Sequence, residues 1–185
     1  MRTPVLAVAL IAALSACSDA SSQGKGNLPA PATTVVDAPP PPVAGPLGEV
    51  LGTYDEMQRR FAKDDNGTGT LAAKLATAAQ AAAGAAAGAT KQPLTDLAAA
   101  ATKLAEQVKA APPPSLEVQR KAFAELSKLV ITVLVADPSL QQGRFIFTCP
   151  MAPAYQKWVQ THGKLQNPYY GSQMLECGEK TDWSV

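Results

Sequence analysis

"LEVQRKAFAELSKLVITVLVADP", residues 116 to 138, decides the fold class. Leu116, Phe123, Leu126, Val130 and Val133 or Leu134 recur at the spacing of one face of an α-helix. The second half of the stretch is apolar nearly all round, which predicts the most buried element of the molecule. Pro112-Pro113-Pro114 stops any helix arriving from upstream, and Ser115 is placed to cap the new one.

Upstream of it the same period continues. In "PLGEVLGTYDEMQRRFAKDD", residues 46 to 65, Val50, Tyr54, Met57 and Phe61 draw an apolar stripe with charges opposite, and Asp64-Asp65-Asn66-Gly67 reads as a terminating turn. "LAAKLATAAQAAAGAAAGATK", residues 71 to 91, is made of strong helix formers with glycines at 84 and 88. That Gly-x-x-x-Gly spacing suits close helix approach in membranes, but Lys74 and Gln80 interrupt it and alanine is weakly apolar. A close-packed soluble helix with a weak C-terminal end is the reading, since each glycine costs about 1 kcal/mol against alanine. Pro93 breaks the chain, after which Leu94, Leu97, Ala101, Leu104 and Val108 share one face. Four helices with short connections predict an all-α fold, a four-helix up-and-down bundle with a C-terminal Cys/Met-bearing tail of short helices and turns.

Within the tail, residues 144 to 178, the pattern predicts one short extended piece from Phe145 to Phe147. A short helix is expected in "APAYQKWVQ", residues 152 to 160, presenting Tyr155, Trp158 and Val159, followed by a turn at Asn167-Pro168. Met174 and Cys177 are expected three apart on one helical face, with Gly178 ending it.

The chain has 185 residues, enough for one ordinary domain once its first part is set aside. Arg2, the apolar run from Val5 to Leu14, and Leu14-Ser15-Ala16-Cys17 form a secretory signal whose apolar core is too short to span a membrane. The last four residues resemble the lipobox of bacterial lipoproteins, which implies cleavage before Cys17 and lipidation of its sulfur. Ser18 in place of Asp implies an outer-membrane destination facing the periplasm. Residues 1 to 16 are therefore expected to be a signal peptide. Residues 17 to 46, rich in Pro, Ala and Ser, are expected to form a disordered tether, and residues 47 to 180 the helical domain.

Sixteen basic and fifteen acidic residues give a net charge of +1, which points to neither nucleic acid nor an anionic membrane surface. An enzyme is not expected: the chain has no Cys-x-x-Cys pair, no Ser/His/Asp set at a supporting spacing and no phosphate-binding glycine loop. Asp64-Asp65-Asn66 lacks the alternation and closing Glu of a calcium loop.

Cys149-Pro150-Met151-Ala152, Trp158, Asn167-Pro168-Tyr169-Tyr170-Gly171, Met174-Leu175 and Cys177-Gly178 together resemble the bacterial domain of unknown function numbered 3347. "QRKAFAELS" at 119 to 127 and the Tyr and "FAKDD" of the first helix extend the resemblance over about Val50 to Gly178. That family occurs in exported proteins and on some adaptor subunits of copper and silver efflux pumps. The resemblance implies binding of copper or a similar soft metal outside the cytoplasm, with Cys149, Met151, Met174 and Cys177 as ligands and metal-efflux proteins as partners. Members often carry His before the Cys-Pro-Met, and Thr148 stands there in this chain.

Two thiolates and two thioethers suit Cu(I) or Ag(I) better than zinc or hard ions. The same two cysteines, in a compartment that permits disulfides, could instead close a loop of about 29 residues and add roughly 3 to 4 kcal/mol. The protein would then be a disulfide-stabilised envelope interaction module. Both alternatives stand on the sequence, as does a pair that holds metal only when reduced. His162 is the only imidazole that could supplement the sulfurs, although its setting in "VQTHGKL" reads as an exposed loop.

Overall fold

The structure is a computed structural model and describes residues 38–185. The expected signal peptide, the lipid site at Cys17 and the tether up to residue 37 lie outside the described residues.

Helix α4 (Leu116–Ala136) forms as its stripe predicts, and Ser115 Oγ accepts a hydrogen bond from the Val118 amide at 3.4 Å. Phe123, Leu126, Val130, Ile131, Val133 and Leu134 are buried along it. Helix α1 (Gly45–Ala62) buries Val50, Tyr54, Met57 and Phe61, the predicted stripe, and stops just before the acidic turn, where Asp64 takes a φ of 60°. Helix α2 (Gly69–Ala85) buries alanines and Leu75, and it ends one residue past Gly84. Helix α3 (Lys91–Val108) differs from expectation at its start: Pro93 is its third residue, within the first turn, where a missing N–H disturbs no helical hydrogen bond. No described helix is long and apolar enough to cross a membrane.

Each helix packs against its predecessor in the chain, and α2 with α3 make the most extensive pairing. Phe123 joins α4 to α1, its ring stacked on Tyr54 with centroids 5.2 Å apart and tilted against Phe61 at 5.0 Å. The mainly helical class is thus present, with one addition that the sequence pattern hid.

The tail is a small antiparallel sheet rather than short helices and turns alone. Strands β1 (Phe145–Thr148), β2 (Lys157–Gln160) and β3 (Glu179–Lys180) pair in the order β2-β1-β3. The segment expected as a helix presenting Trp158 and Val159 is therefore strand β2. Trp158, Val159 and Gln160 are all buried, because β2 packs on α4 and α1 as well as on β1, so the alternation that marks a half-exposed strand is missing. Phe147 pairs directly with Trp158, and their rings stack at 5.7 Å. Gly171–Gln173 form one 3-10 turn, and Met174 to Cys177 is a turn, not a helical face.

Residues 38–44 carry no helix or strand, and they reach the rest of the domain at Gly143, where a Cβ would meet the Pro40 backbone at 2.5–2.6 Å. Gly143 has a φ of 69°, so both its conformation and this close approach favour glycine.

Candidate metal and thiol site

The sheet brings the two cysteines together. Thr148 of β1 pairs with Glu179 of β3, so the residues just beyond each strand meet at one end of the sheet. Cys149 extends the other ladder, its amide donating to the Gln156 carbonyl at 3.0 Å. Across this end the Sγ atoms of Cys149 and Cys177 stand 3.2 Å apart, and both are free thiols. A disulfide bond is about 2.05 Å, so the pair is in contact without being joined.

The two thiols differ in surroundings. Cys149 is fully buried, while Cys177 is partly exposed. The Cys177 thiol is pushed above the ordinary cysteine range, first because it shares a hydrogen bond with Cys149 in its neutral form, then through partial desolvation and the charge of a Cys149 thiolate.

Each cysteine shares a tight turn with its methionine. The Ala152 amide donates to the Cys149 carbonyl at 3.0 Å, closing a turn over Pro150 and Met151. The Cys177 amide donates to the Met174 carbonyl at 3.0 Å, closing the second. Tyr170 Oη donates to the Met151 carbonyl, which ties the first turn to the loop that carries the second. Met151 is 58% exposed, and Met174 is half-buried. Among the described residues no three His, Cys, Asp or Glu side chains gather into a metal-holding group.

His162 is placed elsewhere. It lies two residues past Gln160, which pairs with Phe145 at the opposite end of the sheet from Cys149. Four residues of strand at about 3.3 Å each separate those ends. Its Nδ1 lies 2.8 Å from the Lys164 carbonyl and 3.1 Å from Gln160 Nε2, within its own loop. Thr148 is a β1 residue facing the ladder position of Lys157 and Glu179.

Asn167 fixes Cys177 from behind. Its side chain donates to the Cys177 carbonyl at 2.8 Å and accepts from the Tyr169 amide at 2.8 Å, and its own amide donates to the Leu175 carbonyl at 2.8 Å. Fully buried, it replaces regular secondary structure as the partner of these loop groups. Gly178, at φ 136°, lies so close to Trp158 and the Thr148 carbonyl that a Cβ would stand 2.7 Å from that oxygen.

A second anchor binds the loop to the helices. Arg120 on α4 donates to the Pro168 carbonyl at 3.0 Å, to the Phe61 carbonyl at 2.8 Å and to Asp64 Oδ1 at 2.6 Å. The other Asp64 oxygen accepts from the Ser172 amide at 3.1 Å. These donors hold the Asp64 carboxyl below the usual range, the contacts from Ser172 first and Arg120 second. Gly171, at φ 55°, sits against this pair, and a Cβ there would collide with both the carboxylate and the guanidinium.

Sequence reasoning named the four sulfurs and read Asn167-Pro168 and Asp64 as turn residues. It missed that Asn167, Arg120 and Asp64 position the sulfur-bearing loop. The runs that carry the resemblance were the available signal: Asn167-Pro168-Tyr169-Tyr170-Gly171 holds Asn167, "QRKAFAELS" holds Arg120 and "FAKDD" holds Asp64, but nothing in them said that the three meet. A cleft of about 500 Å³ between the first turn of α4 and the loop, lined by Arg120, Lys121, Tyr169 and Tyr170, includes neither cysteine.

No protein-family model, no curated protein and no solved structure matches the chain.

Proposed function

We propose that this is an exported, lipid-anchored protein that captures Cu(I) or a similar soft ion through Cys149 and Cys177, with Met151 and Met174 as supplementary thioethers. In this reading a four-helix up-and-down body serves as the platform, and metal-efflux proteins are the recipients of the ion. The observation that carries it is the 3.2 Å contact between two unjoined thiols contributed by segments 28 residues apart in sequence. Two thiolates can share one ion when their sulfurs lie within two bond lengths, about 4.6 Å at about 2.3 Å each. The pair is inside that limit and would open from 3.2 Å toward it to seat an ion between the sulfurs, and the donor set is soft.

The residues divide the work. Cys149 and Cys177 lose protons and hold the ion, with the ladder of β1 and β2 fixing the first and Asn167 the second. Met151, largely in solvent, is the ligand an approaching donor or acceptor meets first. The lipid on Cys17 and the tether would keep the domain at the membrane while leaving it several nanometres of reach.

A competition titration against a Cu(I) chelator, on reduced protein lacking residues 1 to 17, tests the reading. Binding tighter than that of the Cys149→Ala, Cys177→Ala variant is expected, and equal binding overturns it. The second reading, a disulfide-stapled interaction module, is favoured by the same proximity. Counting free thiols in protein isolated without reductant separates the two: two free thiols remove the staple, and none confines metal binding to a reduced state.

A further inference from the structure

The two thiols lie in contact, yet solvent reaches only one of them. Cys149 has no exposed surface, whereas Cys177 is partly exposed on a turn at the domain surface. Thiol–disulfide exchange needs an attacking sulfur that a bulky disulfide can approach, and then a second sulfur close enough to displace the mixed disulfide. We propose that Cys149 and Cys177 form a thiol–disulfide exchange site, in which Cys177 takes up the incoming disulfide and Cys149 resolves it. The inference rests on the same dithiol as the metal reading and requires no metal.

The chemistry balances without any group beyond a disulfide of another molecule. The Cys177 thiolate attacks that disulfide, forming a mixed disulfide and releasing one thiol. The Cys149 thiolate then attacks Cys177 Sγ, forming the Cys149 to Cys177 bond and releasing the second thiol. Two protein thiols are oxidised, one external disulfide is reduced, and the two protons pass to the departing thiols.

The fold supports the second step more than the first, because the Cys177 thiol, hydrogen-bonded to Cys149, is held above the ordinary cysteine range and attacks only through its small thiolate fraction. The 3.2 Å separation leaves Cys149 little distance to travel, and the turn that carries Cys177 is fixed by Asn167 on its carbonyl and by Met174 on its amide. A mixed disulfide at Cys177 should therefore be short-lived. Closure would also withdraw both thiolates from any soft ion, so oxidation acts as an off-switch for the metal site.

The test exposes reduced protein, freed of reductant, to glutathione disulfide and follows it by intact mass and peptide mapping. Wild type is expected to lose two hydrogens and retain no adduct. Cys149→Ser is expected to hold one glutathionyl group on Cys177, and Cys177→Ser to gain none until it is unfolded in denaturant. If Cys149→Ser does not fold, acid quenching of wild type at early times gives the same information, with the transient adduct mapped to Cys177. An adduct on Cys149 in folded protein, or two stable adducts on wild type, overturns the proposal. Cu(I) competition on the same reduced sample keeps the readings apart: exchange failing while copper binds overturns only this inference, and copper failing while exchange proceeds overturns only the metal reading.

Discussion

The α2–α3 hairpin and the loop from Gln166 to Gly178 are held together by opposite means. The hairpin buries Ala72, Leu75, Ala78, Ala79, Ala82, Leu94, Leu97, Ala101 and Leu104, mostly small side chains whose backbone groups are already satisfied within their helices. The loop has almost no regular structure, and its backbone polar groups rely on single side chains: Asn167, Arg120, Asp64 and Gln58, whose Nε2 donates to the Gln166 carbonyl at 2.7 Å. A helix interface of this kind spreads its stability over many interchangeable contacts. The loop concentrates its stability in a few groups that have no substitute.

Breaking the comparison at Asn167 should have the largest effect. Asn167→Ala orphans the buried Tyr169 amide, at about 1–3 kcal/mol, and the part-buried Cys177 carbonyl, at less because water reaches it. Urea unfolding should show the loss in midpoint, and the rate at which the two thiols close under glutathione disulfide should fall, because Cys177 is no longer fixed.

The two regions should then answer differently to the same chemical change. Gly171→Ala in the loop places a methyl group against Asp64 and Arg120 at a φ of 55°, and a loss of at least about 1–2 kcal/mol is expected. Gly84→Ala in α2 meets nothing within 4 Å, and a gain of up to about 1 kcal/mol is expected from helix propensity. Thermal unfolding of the two variants side by side sharpens the contrast, and a gain for Gly171→Ala or a loss for Gly84→Ala would undo it.

The smallest effect concerns pH. Asp64 titrates lower in the folded protein than in the unfolded chain, so its contribution is present above the ordinary Asp value of about 3.9 and is lost as pH falls through the folded value. Asp64→Asn should lower the melting temperature modestly at pH 7, by the equivalent of about 0.5–1 kcal/mol for a partly exposed pair. The gap to wild type should close in acid. A gap independent of pH would assign the effect to the hydrogen bonds rather than to charge.

The same contrast explains what the sequence disclosed. The stripes Val50, Tyr54, Met57, Phe61 and Phe123, Leu126, Val130, Leu134 were legible because a helix with one buried face imposes its period on the chain. Strand β2 was not, because Trp158, Val159 and Gln160 are covered on both faces and leave no alternation to read. Pairing with β1 overrode the local pattern there. At the candidate site, residue chemistry named Cys149, Met151, Met174 and Cys177. Their proximity depends on which strands pair, and that is a non-local fact. His162 shows the same limit from the other side: its residue type suggested a ligand, and its strand carries it to the far end of the sheet.

Copper K-edge absorption on reduced protein loaded with one equivalent of Cu(I) tests the central claim most directly. The account predicts a first shell of sulfur without nitrogen, lost in the Cys149→Ala, Cys177→Ala variant and unchanged in His162→Ala. A nitrogen shell that disappears with His162, or a sulfur shell that survives removal of both cysteines, would contradict it.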